Sequence, residues 1–375
     1  MIALVLILLA SPATSYLASL HTEARARSAQ AGEPGAVREL QIDGTVAGDA
    51  SWPILHLFAA YEPRLRADDS GSIVEALHQG RLAAQWALAP GRTIRADQRG
   101  SFGRVDLSPV NATTAQVRLP PVQSAQLMRS TTEASWDEIL SRRLRLLMTA
   151  AYEIGGGTDA QSQRSVPLQQ GPRASARATW DASALDVLGL FLAGSTATYS
   201  SGGSVTTASA ELSARHRFGR DASLEGTAGA GTASDIGSSM IVPVASVRAA
   251  LELPERRLLF DSSIRVGPAA DWLSAAVYER AEASAGVRYS LSQAVAFDLR
   301  AGGASALTDL AGQRGGILSG QCSSTVVLSR SVSAIVGARG AWLRDPAPGE
   351  PSRQWLLFAA LSFTAGGAAA DRGAR

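Results

Sequence analysis

At 375 residues the chain is long enough for two or three average soluble domains or for one large barrel. Hydrophobic residues make up 46% and charged residues only 18%, below the roughly 25% of a soluble domain, yet after residue 10 no apolar run approaches the about 18 residues that a membrane helix needs. A net charge of +2 argues against nucleic acid as a partner and against an acidic tail, and the single cysteine, Cys322, excludes an internal disulfide and a multi-cysteine metal site.

In chain order, residues 2–10 form an unbroken apolar run followed by Ser11-Pro12-Ala13, the pattern of a signal-peptide core without the usual basic start. Ala24-Arg25-Ala26 and Ser11-Pro12-Ala13 are the two cleavage candidates, so residues 1–26 are expected to be a signal peptide. Residues 27–36, small and polar, are expected to be a flexible leader. Residues 37–47 alternate weakly, with Leu40, Ile42, Gly44 and Val46 on one face; including them makes the strand count odd, so either they stay outside the barrel or another strand is miscounted.

Stronger period-two stretches follow at 56–66, 81–88 and 93–103, the first two separated by a longer polar connection that begins at 68–71. Residues 107–126 hold Pro109, Pro120 and Pro121 and are read as a loop or small insert. Two more stretches, 126–139 and 144–154, meet across Ser141-Arg142-Arg143, and 155–172 is a long connection. From 173 the alternation is clearest. In 277–291 the row Val277, Glu279, Ala281, Ala283, Ala285, Val287, Tyr289 is apolar but for one residue, and the other row is mostly polar. Side chains that alternate in this way line the two faces of a strand, one dry and one wet. The last stretch is 355–363, Trp-Leu-Leu-Phe-Ala-Ala-Leu-Ser-Phe.

Two regularities go beyond propensity. Links near 90, 142, 182, 220, 255, 292 and 331 are short, whereas 155–172, 232–240, 268–276, 304–316 and 343–353 are long; the link at 200–203 is the exception. Aromatic residues also gather at strand ends: Trp86, Trp180, Phe218, Phe260, Tyr289 and Phe363 at one set, Phe102, Tyr152, Tyr199, Tyr278, Trp342 and Trp355 at the other. Short turns at one end, long loops at the other and two aromatic girdles describe a transmembrane barrel. A soluble sandwich would fill its apolar row with large side chains, and here that row is rich in alanine.

On this pattern residues 37–363 resemble the outer-membrane β-barrel superfamily of Gram-negative bacteria, porin-like in form. The resemblance implies an all-β, antiparallel, up-and-down transmembrane barrel of about 16 strands, between about 14 and 18. It also implies short turns and both termini in the periplasm, export through a signal peptide, a surrounding of outer-membrane lipid, and recognition by the barrel-assembly machinery through the closing-strand aromatic Phe363. Residues 364–375 are then a C-terminal tail.

Catalytic and cofactor chemistry is sparse. His21, His56, His78 and His216 have no metal-ligand spacing. His56 lies on a polar row, where a barrel-embedded lipase would need it, but no G-x-S-x-G accompanies it. The chain is therefore read as no enzyme, without catalytic, cofactor or metal residues. His216 beside Phe218 reads as interfacial, and Cys322, between Gly320 and Ser324 on a small-residue row, as a buried small side chain.

The functional feature is the polar row. Arg95, Arg99, Arg145, Arg177, Glu211, Arg215, Arg248, Arg265, Arg280, Glu282, Arg288 and Arg300 are expected to line the lumen, with Asp97, Glu153, Arg173, Arg217, Glu252, Asp261 and Asp298 beside them. One reading is a porin-like channel for passive diffusion of small polar solutes, with a weak anion preference from the arginines. The other is a structural or export-associated barrel with an occluded lumen.

Overall fold

The computed structural model describes residues 13–29, 35–108, 124–235, 237–271, 273–308, 315–344 and 352–367. Eighteen strands follow one another in the chain: β1 (Ala13–Arg27), β2 (Val37–Ser51), β3 (Leu55–Asp68), β4 (Ile73–Ala89), β5 (Arg92–Asp106), β6 (Ser124–Ile139), β7 (Leu144–Gly157), β8 (Gln169–Asp181), β9 (Asp186–Tyr199), β10 (Ser204–Phe218), β11 (Ala222–Ser234), β12 (Ser239–Leu253), β13 (Leu258–Ala270), β14 (Val277–Ser290), β15 (Val295–Ala306), β16 (Gly316–Ser329), β17 (Val332–Arg344) and β18 (Arg353–Gly367). Among the described residues one α-helix, α1 (Ala160–Ser165), lies between β7 and β8. Each strand pairs antiparallel with the next, and β18 pairs back to β1 from Tyr16 opposite Gly367 to Arg27 opposite Leu356. The sheet thus closes on itself and leaves no edge, the one β arrangement that satisfies every backbone group in lipid. Strands run from 12 residues in β15 to 17 in β4. Fourteen residues tilted by about 40° rise about 35 Å, more than the ~25 Å apolar band of an outer-membrane barrel.

Both described ends of the chain and eight links of two to four residues share one end of the barrel; the links of nine, eleven, seventeen, nine and eight residues (28–36, 158–168, 107–123, 307–315, 345–352) all lie at the other. The short-turn and long-loop ends expected from link lengths are therefore present. Links 69–72, 200–203 and 235–238 are short connections at the long-loop end. The outward row is large, apolar and exposed, with Leu82, Leu212, Ile264, Leu299 and Val336 among its members.

Several expectations need correction. The strand number is not among them: eighteen lies within the expected range of about 14 to 18, and the two strands beyond sixteen are both N-terminal. Residues 13–26, expected to belong to a signal peptide, form β1 together with Arg27, and 37–51 belong to the wall as β2. Cleavage after Ala26 would remove β1, whereas cleavage at residues 11–13 leaves the wall whole; residues 1–12 lie outside the described ones. Strand β4 begins at Ile73, so the connection before it shrinks to 69–72, and β18 runs through Thr364 to Gly367 instead of ending at Phe363. Phe363 faces outward, opposite Leu20 of β1 and Val332 of β17. Most of the insert expected at 107–126 (109–123) lies outside the described residues; β6 already starts at Ser124. Tyr199 and Tyr278 are not girdle residues. They are 7% and 1% exposed and sit in apolar clusters inside the wall. Cys322 is exposed on the outward row and not buried. His216 does face outward, edge-on to Phe218 at 4.5 Å and bonded to Asp186 at 2.7 Å.

Candidate functional site

Alternation turns every second side chain of each strand into the lumen, so the sequence's polar rows become the inner wall. At mid-height Asp97 of β5 is gripped by three guanidinium groups: Arg81 of β4 at 3.0 Å, Arg95 at 2.9 Å and Arg99 at 2.8 Å. Arg81 also lies over the Phe58 ring at 5.4 Å. Further round, Arg173 bridges Glu133 and Glu153, each at 3.0 Å. Arg145 meets Asp137 at 2.7 Å, Arg300 meets Asp298 at 2.9 Å, and Arg280 pairs with Glu282. Arg265 of β13 reaches Glu211 of β10 at 2.8 Å, and Ser209 and Thr227 also donate to that carboxylate.

Arg177 stacks over Phe191 at 5.2 Å. Among the described residues Arg215, Arg248 and Arg288 make no ion pair, and Arg215 stands opposite Glu225, itself opposite Arg248. All twelve lumen candidates thus occur on the inward rows, and eight of them, six arginines with Glu211 and Glu282, are in ion pairs. The arginine excess expected of the row is largely cancelled by acids, most of them on the same expected row (Asp97, Glu153, Glu211, Glu282 and Asp298), joined by Glu133 and Asp137, which alternation alone did not single out.

A second set of inward residues was missed altogether. At the long-loop end of β1 to β5 the side chains form one ionic knot. Arg27 donates to Glu39 at 2.7 Å, Arg25 to Gln41 at 2.6 Å, and Arg64 to Asp43 at 2.8 Å. Arg66, 1% exposed, lies 3.2 Å from Glu75 and 3.6 Å from Glu39 and also pairs with Asp106. Such burial requires that each charge be compensated by others in the knot, because isolated charges out of water cost several kcal/mol each. Gly103 shapes this corner. Its φ is +147°, and a Cβ there would lie 2.0 Å from the Ala76 carbonyl oxygen, so only glycine lets β5 approach β4 so closely just before Asp106.

Beside the knot, Leu356 and Phe358 of β18 are buried, and Arg339 covers Phe358 at 5.2 Å. On β9 to β17 the same end carries a buried apolar lining that includes Tyr199, Val205, Tyr278 and Ile317. The long-loop mouth therefore carries largely buried side chains, with one cavity of about 590 Å³ opening against the knot itself at Arg25, Asp43, Arg64 and Glu75, whereas lower in the barrel cavities of about 490 and 470 Å³ are lined by charged, hydroxyl and amide groups.

Two features outside the membrane span complete the geometry. In the β7–β8 loop Asp159 caps α1, accepting from the Ser162 backbone N–H at 2.8 Å and its hydroxyl at 2.9 Å, bonds that hold its carboxyl below the usual range. Asp235 in the β11–β12 loop is lowered in the same way by the Gly237 N–H. At the short-turn end Asp49 stands between Ser15, which donates to it, and His56 at 3.7 Å. The hydroxyl is bonded to the carboxylate and not to the imidazole, which reverses the order a nucleophile and its base require.

The model of a family described as the EpsX exopolysaccharide export family matches residues 6–262 and 239–367. No curated protein matches the chain. Among solved structures the barrel is similar to OpdK of Pseudomonas aeruginosa, crystallised with vanillate, at a TM-score of 0.54 and 10% identity over 94% of this chain and 99% of that one. It is also similar to OccK3 (OpdO) of Pseudomonas aeruginosa, with a TM-score of 0.51, 11% identity and coverages of 94% and 96%. OccAB4 of Acinetobacter baumannii gives 0.53, 7%, 94% and 98%. At these identities the likeness is one of fold: a closed antiparallel β-barrel of the form those proteins have.

Proposed function

Because the chain belongs to the EpsX exopolysaccharide export family, we propose that it is an outer-membrane conduit through which an exopolysaccharide leaves the cell. The observation that carries this reading is the inner wall. It alternates guanidinium donors with carboxylate acceptors around the circumference, as at Arg81–Asp97–Arg99 and Glu133–Arg173–Glu153. A hydroxyl-rich polymer can exchange hydrogen bonds with such a ladder at every step. Near-neutral pairing leaves little net field to trap it. A barrel of 18 strands is wide enough for an aqueous channel, and the dry knot at the long-loop mouth sets where passage is narrowest.

Placement follows from the same reading. The short turns and both termini face the periplasm, the long loops face outward, residues 2–10 serve as the core of a signal peptide, and β18 carries the signal for the barrel-assembly machinery. Free diffusion of small solutes is the second reading, favoured by the wet cavities below the knot.

Deletion of the gene should stop polymer reaching the cell surface and leave it in the periplasm. Wild-type protein should restore export. Protein with bulky inward substitutions such as Ser246→Trp and Ser284→Trp, folded but narrowed, should not. Normal surface polymer without the protein contradicts the export reading. Solute uptake with unaltered polymer export favours the second.

A further inference from the structure

The outward face of the barrel differs between its two ends in a way that the lumen does not explain. At the long-loop end, three aromatic residues of the girdle, Phe102, Trp342 and Trp355, are 44–52% exposed. One outward step beyond each, toward the loops, stands an exposed arginine: Arg104, Arg344 and Arg353. On β2 the same step beyond Leu40 reaches Arg38. Among the described residues only Glu279 adds an acid to the outward rows at this end. At the short-turn end the equivalent step beyond Trp86, Tyr289 and Phe363 reaches Leu88, Leu291 and Ala365. There Arg220 follows Phe218 and Arg330 follows Leu328, spread over separate strands, and Arg92 is paired with Glu138.

The basic belt is concentrated. Arg344, Arg353 and Arg38 fall within four neighbouring strands, β17–β18–β1–β2, an arc of about 15 Å at the spacing of paired strands. Arg353 stands directly opposite Trp342 in the register. Arg344 also forms the upper end of an apolar groove of about 750 Å³ on the lipid face. The groove exists because β14 and β15 present Ala283, Ala285, Ala301 and Gly303 outward, while Ile264 on one side and Leu318 with Trp342 on the other stand higher. An apolar trough closed at the interface by guanidinium groups has the shape and charge of an acylated, phosphorylated ligand: chain in the trough, phosphate at its head.

We propose that this face binds a phosphorylated glycolipid of the outer leaflet, with an acyl chain along the Ala283–Gly303 trough and a phosphate held by Arg344 and Arg353, assisted by Arg38. The assignment rests on the outer-membrane placement above and fixes the long-loop end as the outer one. Neighbouring phosphate and polar groups of the same lipid would meet Arg104, whose Nε donates to Ser124.

The test uses the full-length folded barrel in mild detergent, its closure checked by heat-modifiable gel migration, with lipid A as the probe and native mass spectrometry as the readout. Wild-type protein should retain lipid A, and enzymatically dephosphorylated lipid A should be lost. R344Q/R353Q should weaken retention about thirtyfold, at about 1 kcal/mol for each arginine near the surface, whereas R344K/R353K should keep most of it. Ala301→Phe, which fills the trough and leaves the arginines, should weaken retention as well. Millimolar inorganic phosphate should not displace the lipid; displacement would reduce the site to one for free phosphate and overturn the glycolipid. Equal retention by R344Q/R353Q, or of the dephosphorylated lipid, overturns the proposal. Loss on R142Q/R143Q at the short-turn end instead would overturn both the site and the orientation, and none of these outcomes depends on whether the lumen exports polymer.

Discussion

Arg66→Ala tests whether the knot at the long-loop mouth is as dry as its geometry says. The substitution removes one cation from among Glu39, Glu75 and Asp106. Glu39 keeps Arg27 at 2.7 Å and Glu75 keeps Arg64 at 3.6 Å, while Asp106 loses its pairing with Arg66. Breaking a buried pair by deleting one partner costs about 3–5 kcal/mol, because the charges left behind are out of water. The surviving arginines place this case near the lower limit, about 3 kcal/mol. Denaturant unfolding of the barrel in lipid vesicles, followed by tryptophan fluorescence, measures the loss. Glu39→Gln combined with Arg66→Ala should cost less than the sum of the two single changes, because it removes one of the stranded charges. The shortened side chain also widens the mouth, so ionic conductance should rise. A loss below about 1 kcal/mol, the value of a solvent-exposed pair, together with unchanged conductance, would refute the argument that these charges are dry and narrow the passage.

Three further outcomes follow from the same structure. Val247, 53% exposed on the outward row, should not tolerate arginine, which costs about 2–4 kcal/mol at the bilayer midplane, whereas the inward Ser246, bonded to Thr227 at 2.8 Å, should; folding into vesicles checks both, and equal tolerance would defeat the register. Deleting residues 13–27 should leave unfolded protein, because β2 and β18 each lose a partner; a folded barrel whose mature N-terminus lies beyond Ala26 would show that β1 is dispensable. Asp159 is held below its ordinary value of about 3.9, so its cap on α1 is present above that pH and is lost as pH falls through the lower folded value; hydrogen exchange of the β7–β8 loop should quicken there, and much less in Asp159→Asn.

The wall itself was legible because lipid and lumen impose a strict period of two, as Ala281, Ala283, Ala285 and Val287 against Glu282, Ser284 and Arg288 show. Link lengths also fixed the two ends. Strand β1 was hidden although it alternates equally well, with Leu20, Thr22 and Ala24 against His21, Glu23 and Arg25; small residues around Arg25 are also what a cleavage site offers, and the apolar run before it pointed to export. The arginines of the lumen could be placed on their face, but their partners could not. Arg66 meets Asp106 across 40 residues and Arg265 meets Glu211 across 54, separations that only closure of the sheet defines. Tyr199 and Tyr278 show the same limit, since a strand end carries an aromatic equally well into a girdle or into an inner cluster.

The central claim is that the barrel is a polar conduit for a glycan, narrowed at the long-loop mouth. Single-channel recording in a planar bilayer, with oligosaccharide fragments of the exported polymer added to one side, tests it most directly. The expected result is a conducting pore with little charge selectivity, transient blockades whose frequency rises with oligosaccharide concentration, and a larger conductance in Arg66→Ala. A folded barrel that conducts nothing, before or after Arg66→Ala, and shows no response to the oligosaccharide would contradict it.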